Sequence, residues 1–166
     1  MSNLTKRKHA FSLVELVIVV VIIGVIAAIA VPRISRGAKG AGDSSLRGSL
    51  AGIRNAIDMY AAEHNGAFPG GLTQVEVVDK LIKKTDAAGT VGTTAGVHIY
   101  GPYLRGGIPA LPVCATKGDA NLKLVTGTPT GGLGTEGWVY STDTGEIIAN
   151  CGATEKDEAG VAYNAY

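Results

Sequence analysis

The feature that most limits what this chain can fold into is an unbroken apolar run from Phe11 to Val31. Lys6, Arg7 and Lys8 precede it, and Pro32 and Arg33 close it. Its 21 residues make about 31 Å of helix, enough to cross a bilayer. One charge interrupts the run. Glu15 stands near its start, and a carboxylate at a bilayer centre costs roughly 2.5–3.5 kcal/mol, less near an interface. A side chain that costs free energy and is no anchor calls for a partner. The length argues against a buried core helix. Two readings stay open on these residues: a single-span anchor, and a secretory signal peptide cut after Ala28-Ile29-Ala30. Glu15 inside the apolar region and Pro32 just past that cut weigh against the signal peptide. Flanking charge leaves orientation open, because Arg33, Arg36 and Lys39 balance the three cations on the other side.

The string His9-Ala10-Phe11-Ser12-Leu13-Val14-Glu15, followed by Leu16 to Val31 and Pro32, resembles the amino-terminal signature of type IV pilins and of the pseudopilins of type II secretion. The resemblance is specific from Phe11 to Pro32, fades along the following helix, and is only thematic beyond Pro69. It implies that a prepilin peptidase cuts between Ala10 and Phe11 and N-methylates the new terminus. It also implies that Glu15 neutralises the Phe11 amine of a neighbouring subunit during assembly. The family usually has Gly before the cut. This chain has Ala10, the nearest residue in size, so slower or normal processing is expected rather than none. The domain boundaries implied are a leader over 1–10, a transmembrane and assembly half-helix over 11–34, an amphipathic half-helix over 35–65, and a head over 66–166.

At 166 residues the chain is one small domain with an appendage. Without residues 1–10 it carries 12 basic and 14 acidic side chains, and no clustered basic face suggests a nucleic-acid partner. The two cysteines, Cys114 and Cys151, follow an export signal, so a disulfide is expected. Free or metal-binding thiols are the alternative, with no C-x-x-C pair to support them.

Past Pro32 a helical pattern resumes. Leu46, Leu50, Ile53, Ile57 and Tyr60 recur at spacings that share one face. The expected helix runs from Phe11 to about His64 and is kinked at Pro32, where an intrahelical bond is lost. The glycines between Arg36 and Asp43 leave a flexible linker open as an alternative. Gly24 with Ala28, and Gly48 with Gly52, form small-x-x-x-small pairs suited to close helix packing. Asn65-Gly66 stops the helix. Thr73 and Glu76 then read as a capping box, with Leu72 and Val77 as a staple. The short helix that follows, to about Lys84, is expected to bury Val75, Val78, Leu81 and Ile82.

Beyond a loop over 85–96, short strands are expected at Val97–Tyr100 and Leu122–Thr126. A hairpin is expected over 137–150, turning at Thr142-Asp143-Thr144-Gly145. The tail from Glu155 to Tyr166 reads as polar and free to fray. The fold class expected is α+β: a long N-terminal helix packed on a small antiparallel sheet, in the pilin-like arrangement.

No P-loop, G-x-S-x-G or H-E-x-x-H motif occurs, so no enzyme and no cofactor is expected. His64 reads as ordinary dipole compensation at a helix end. Because many major pseudopilins carry calcium near their last strands, Asp143 and Glu146 are weak candidate ligands. A plain turn, with Asp143 bonding its own backbone and Gly145 at positive φ, fits the short ligand set better. The resemblance implies a structural subunit that polymerises with other pilin-like subunits, is cut by prepilin peptidase and sits in the inner membrane. It would be single-pass with its head in the periplasm, and its filament would lie in the periplasm or at the cell surface. A type II secretion pseudopilin is the leading role. A type IV pilus subunit for adhesion, motility or DNA uptake is the alternative, and a secreted binding domain released at Ala30 is a third.

Overall fold

The computed structural model describes residues 12–166. They separate into two compact units, one ending at Ala38 and the other spanning Lys39–Tyr166. A single helix, α1, covers Leu13–Glu63 with Pro32 inside it. The stretch from Arg36 to Asp43 is helical rather than a linker.

Among its described residues, the first unit is helix from Leu13 onward. Its large apolar side chains from Leu13 to Ile34 are 49–78 % exposed, so this segment builds no core of its own.

In the second unit the α1 stripe does what its spacing predicts. Leu46, Leu50, Ile53, Ile57 and Tyr60 are all buried, and they form one cluster with Val77, Leu81, Leu111, Trp138, Tyr140 and Ile147. The helix stops where Asn65 and Gly66 both take positive φ and the Gly66 amide donates to the Ala61 carbonyl at 2.8 Å.

Helix α2, Gln74–Ile82, begins with the expected capping box. Thr73 Oγ1 accepts from the Glu76 amide, and the Glu76 carboxylate accepts from the Thr73 amide. The staple does not form. Leu72 is 97 % exposed while Val77 is fully buried. Glu76 Oε2 also takes the Leu72 amide, at 2.7 Å, which holds that backbone over the first turn with Leu72 outward. Val75 is likewise exposed, and the buried face of α2 is Val77 and Leu81, with Val78 partly buried beside them.

The sheet has three strands in the order β1 (Leu122–Val125), β2 (Trp138–Ser141) and β3 (Ile147–Ala149). β2 and β3 form the expected antiparallel hairpin, but β1 pairs parallel to β2, Leu122 opposite Trp138. A parallel neighbour needs a return connection of about a dozen residues, and the chain supplies it between Val125 and Trp138. Asn150 pins that crossover. Its side-chain amide donates to the Leu133 and Glu136 carbonyls at 2.7 Å each, and its oxygen accepts from the Leu133 amide.

No strand forms over Val97–Tyr100. Gly96 takes positive φ, and the Val97 and His98 amides both close onto the Thr94 carbonyl, so the segment curls into a turn. Tyr100 alone pairs, in an isolated bridge with Thr85.

Cys114 and Cys151 are joined, their Cα atoms 5.7 Å apart. The tail does not fray. Its Tyr163 and Asp157 are buried, a short helical turn covers Tyr163–Ala165, and the segment packs against the second half of α1.

Candidate functional site

Glu15 lies in the first turn of α1, and its side chain is exposed among Leu13, Val14 and Leu16. A carboxylate there complements the partial positive charge of a helix start, which is one local reason for its place. Among the described residues it is also the single charge before Arg33. The expected cleavage point, Ala10-Phe11, and the Phe11 amine lie outside the described residues.

Around the small-residue pairs there is open space. A Cβ added at Gly24, Gly48 or Gly52 would meet nothing within 4 Å. Gly48 and Gly52, with Ser45 and Ser49, line one wall of an open groove of about 470 Å³ whose other wall is Leu104, Gly107 and Pro109. Both walls lie within the second unit.

On α1, Asp43 precedes the buried stripe by three residues, Arg47 and Arg54 flank it, and the tail comes back to all three. Asp43 is buried; it accepts from the Tyr163 hydroxyl at 2.6 Å and from the Glu158 amide at 3.3 Å. Arg47 Nη2 donates to Asp157 at 3.2 Å and to the Tyr166 hydroxyl at 2.7 Å, with its guanidinium 4.8 Å from the Tyr166 ring centre. Arg54 Nη2 donates to the Ile147 carbonyl and to the Tyr166 backbone oxygen. The Tyr166 hydroxyl donates to Asp157 and, first among several causes, holds its carboxyl below the usual range. Burial, and then the Asp43 carboxylate, push the Tyr163 hydroxyl upward. The arrangement is a structural lock, and it holds no nucleophile aimed at a cavity.

His64 does more than its place at a helix end predicts. It is buried, stacked on Tyr60 with ring centres 3.9 Å apart. Its Nδ1 lies 2.8 Å from the Tyr60 carbonyl, and its Nε2 lies 3.0 Å from both Thr85 Oγ1 and the Asp86 carbonyl. Each ring nitrogen faces a backbone carbonyl, and the tautomer sets which of the two receives the N–H. The ring thus ties the end of α1 to the loop after α2, while its Nδ1 meets a carbonyl of the last helical turn.

Asp143, exposed at the turn, braces the hairpin. Its carboxylate accepts from the Gly127 amide at 2.8 Å and from Ser141 Oγ at 3.0 Å, and the Gly127 bond leads in lowering its pKa. The tie to Gly127 joins the hairpin turn to the end of β1, and a bond to its own backbone also contributes. Glu146 lies at the end of the same turn, and Gly145 takes positive φ there.

One grouping of metal-ligating side chains occurs among the described residues: Cys114, Cys151 and Glu155, within 4.8 Å of one another. The two sulfurs are bonded to each other and offer no thiolate. Both Glu155 oxygens accept backbone amides, those of Ala115 at 2.8 Å and Gly152 at 2.7 Å. Glu155 therefore brackets the disulfide from both flanks. No catalytic constellation is assembled among the described residues.

Asp43, Tyr163 and Tyr166 hold structural contacts that lie outside the sequence motifs. Asp43 had a signal, since a carboxylate in register with a buried apolar stripe needs a partner. The tyrosines had only their spacing near the end.

Residues 5–31 match the family described as Prokaryotic N-terminal methylation motif. No curated protein matches the chain, and no solved structure does. The chain thus carries a prepilin-type methylation motif at its N-terminus, joined to one long apolar helix able to span a membrane by length and composition. A helix of this kind whose second half packs on a small sheet is the pilin-like α+β architecture. Motif and architecture together describe a pilin-like subunit.

Proposed function

We propose that the chain is a filament subunit of a type II secretion system, a pseudopilin held in the inner membrane by residues 11–34 until it is assembled. The observation that carries the filament-subunit reading is the pairing of the methylation motif with an apolar helix segment left 49–78 % exposed. Such a surface requires lipid or neighbouring helices to cover it. Prepilin peptidase cuts between Ala10 and Phe11, and the head, residues 66–166, lies in the periplasm. Glu15 then pairs with the methylated Phe11 amine of a neighbour. Each charge is costly alone in an apolar setting, and a single axial stagger brings them together, so the pair acts as a register key.

Charge weighs against a DNA-uptake role. The acidic balance of the processed chain gives it no cationic excess for a nucleic acid.

The test is to express the full chain in a host with prepilin peptidase and a secretion filament, then measure the intact mass and N-terminal sequence. The expected product begins at methylated Phe11 and fractionates with periplasmic filaments. Retention of residues 1–10 overturns the processing step, a start at Val31 establishes a secreted domain, and surface filaments establish a pilus subunit.

A further inference from the structure

Between Glu15 and Asp43 the chain has no carboxylate, and its charges are Arg33, Arg36 and Lys39. All three are exposed on α1, spaced three residues apart and so on neighbouring positions of one helix flank. None forms an ion pair among the described residues. The nearest acid in sequence, Asp43, is turned inward onto Tyr163. Glu158 stands near Gly40, and it too makes no ion pair.

We propose that Arg33, Arg36 and Lys39 form a cationic collar that binds the phosphate groups of anionic phospholipids on the head side of the membrane. This rests on the membrane reading above. Pro32 closes the apolar run, so Arg33 begins where the hydrocarbon ends. From Arg33 to Lys39 the helix rises about 9 Å, close to the depth of one headgroup layer, roughly 5–8 Å. Long basic side chains at such a position extend their charge into the headgroups while their stems lie along the acyl boundary. The small residues between Arg36 and Lys39, Gly37 and Ala38, leave phosphates room to approach, and a Cβ at Gly37 would meet nothing within 4 Å.

The collar also gives leader removal an electrostatic consequence. Before the cut, three cations flank each side of the span. Afterwards Lys6, Arg7 and Lys8 are gone, and the cations flanking the span are all on the head side apart from the new amine opposite Glu15. Processing thus removes the cytoplasmic cations that favour retention on that side and leaves the collar as the main electrostatic attachment to lipid. Its attraction is screened beyond a Debye length.

The test reconstitutes the full chain in phosphatidylcholine bilayers and compares immobilisation of spin-labelled phosphatidylglycerol with that of spin-labelled phosphatidylcholine by electron paramagnetic resonance. Three variants accompany the wild type: Arg33→Gln/Arg36→Gln/Lys39→Gln, Lys6→Gln/Arg7→Gln/Lys8→Gln, and the two combined. The expected result is a preference for phosphatidylglycerol that falls about threefold or more in the collar variant at low salt. It survives in the leader variant, vanishes in the combined one and weakens in high salt. An unchanged preference in the collar variant overturns the proposal. So does an unchanged preference with loss of filament yield, which assigns the cations to subunit contacts. Immobilisation of neither lipid by the wild type overturns the membrane reading itself.

Discussion

The Tyr163 hydroxyl donates to Asp43 Oδ1 at 2.6 Å, joining residues 120 positions apart in a buried contact. It closes the head by bringing the end of the chain back to the start of the buried helix stripe. Arg47 and Arg54 extend the same closure through Asp157 and Tyr166. A tail that is polar by composition is thereby built into the domain.

Tyr163→Phe removes the donor and leaves a buried carboxylate oxygen short of a partner, which costs about 1–3 kcal/mol. Thermal denaturation should show a lowered melting temperature with the fold retained. An unchanged melt means that the tail is not held by this contact.

Acid should weaken the head. The Asp157 carboxyl is held below its usual value first by the Tyr166 hydroxyl, and Asp119 below its own first by the Asn121 amide. A depressed folded value means that these groups stabilise the fold fully above about pH 5, and that the contribution is lost as pH falls through the folded pKa. Denaturant midpoints measured from pH 7 down to 3 should fall, and Asp157→Asn should flatten part of that slope.

Reducing the Cys114–Cys151 bridge opens a loop of sequence separation 37 and costs about 3–4 kcal/mol on the chain-entropy model. Cys114→Ser/Cys151→Ser should melt at lower temperature than the oxidised wild type. Quantitative thiol labelling of the native, unreduced protein would show that the bridge is absent.

Gly145 sits at φ +72° with the Phe68 ring where a Cβ would stand. Gly145→Ala combines left-handed strain with a steric contact, so the expected loss exceeds about 1 kcal/mol. Gly96 has a similar φ and open space around it, so Gly96→Ala should cost less. Paired unfolding curves compare the two.

Glu15→Gln keeps shape and an acceptor but not charge, and Glu15→Val removes both. Each variant should be inserted and cleaved yet fail to enter filaments, with Val the more severe. Wild-type filament yield from Glu15→Val with normal processing assigns the carboxylate to the head-group interface alone. Loss of cleavage assigns it to peptidase recognition.

The local elements could be read without the fold. The apolar run, the helix stripe, the Asn65-Gly66 stop, the Thr73–Glu76 capping box and the 137–150 hairpin each depend on residues a few positions apart, and periodicity and capping chemistry are written at that range. The disulfide needed only two cysteines and an export context. Tertiary structure decided what depends on distant partners. The parallel pairing of β1 rests on Asn150 gripping the crossover loop, and the exposure of Leu72 on where Glu76 places its carboxylate. His64 became a buried tie because Thr85 and Asp86 come to it. The tail is ordered because Asp43, Arg47 and Arg54, on a helix laid down more than a hundred residues earlier, supply the partners that its own polar sequence lacks. A short segment taken alone cannot recover the entropy of ordering; against a prepared surface of buried charge and aromatic rings it can.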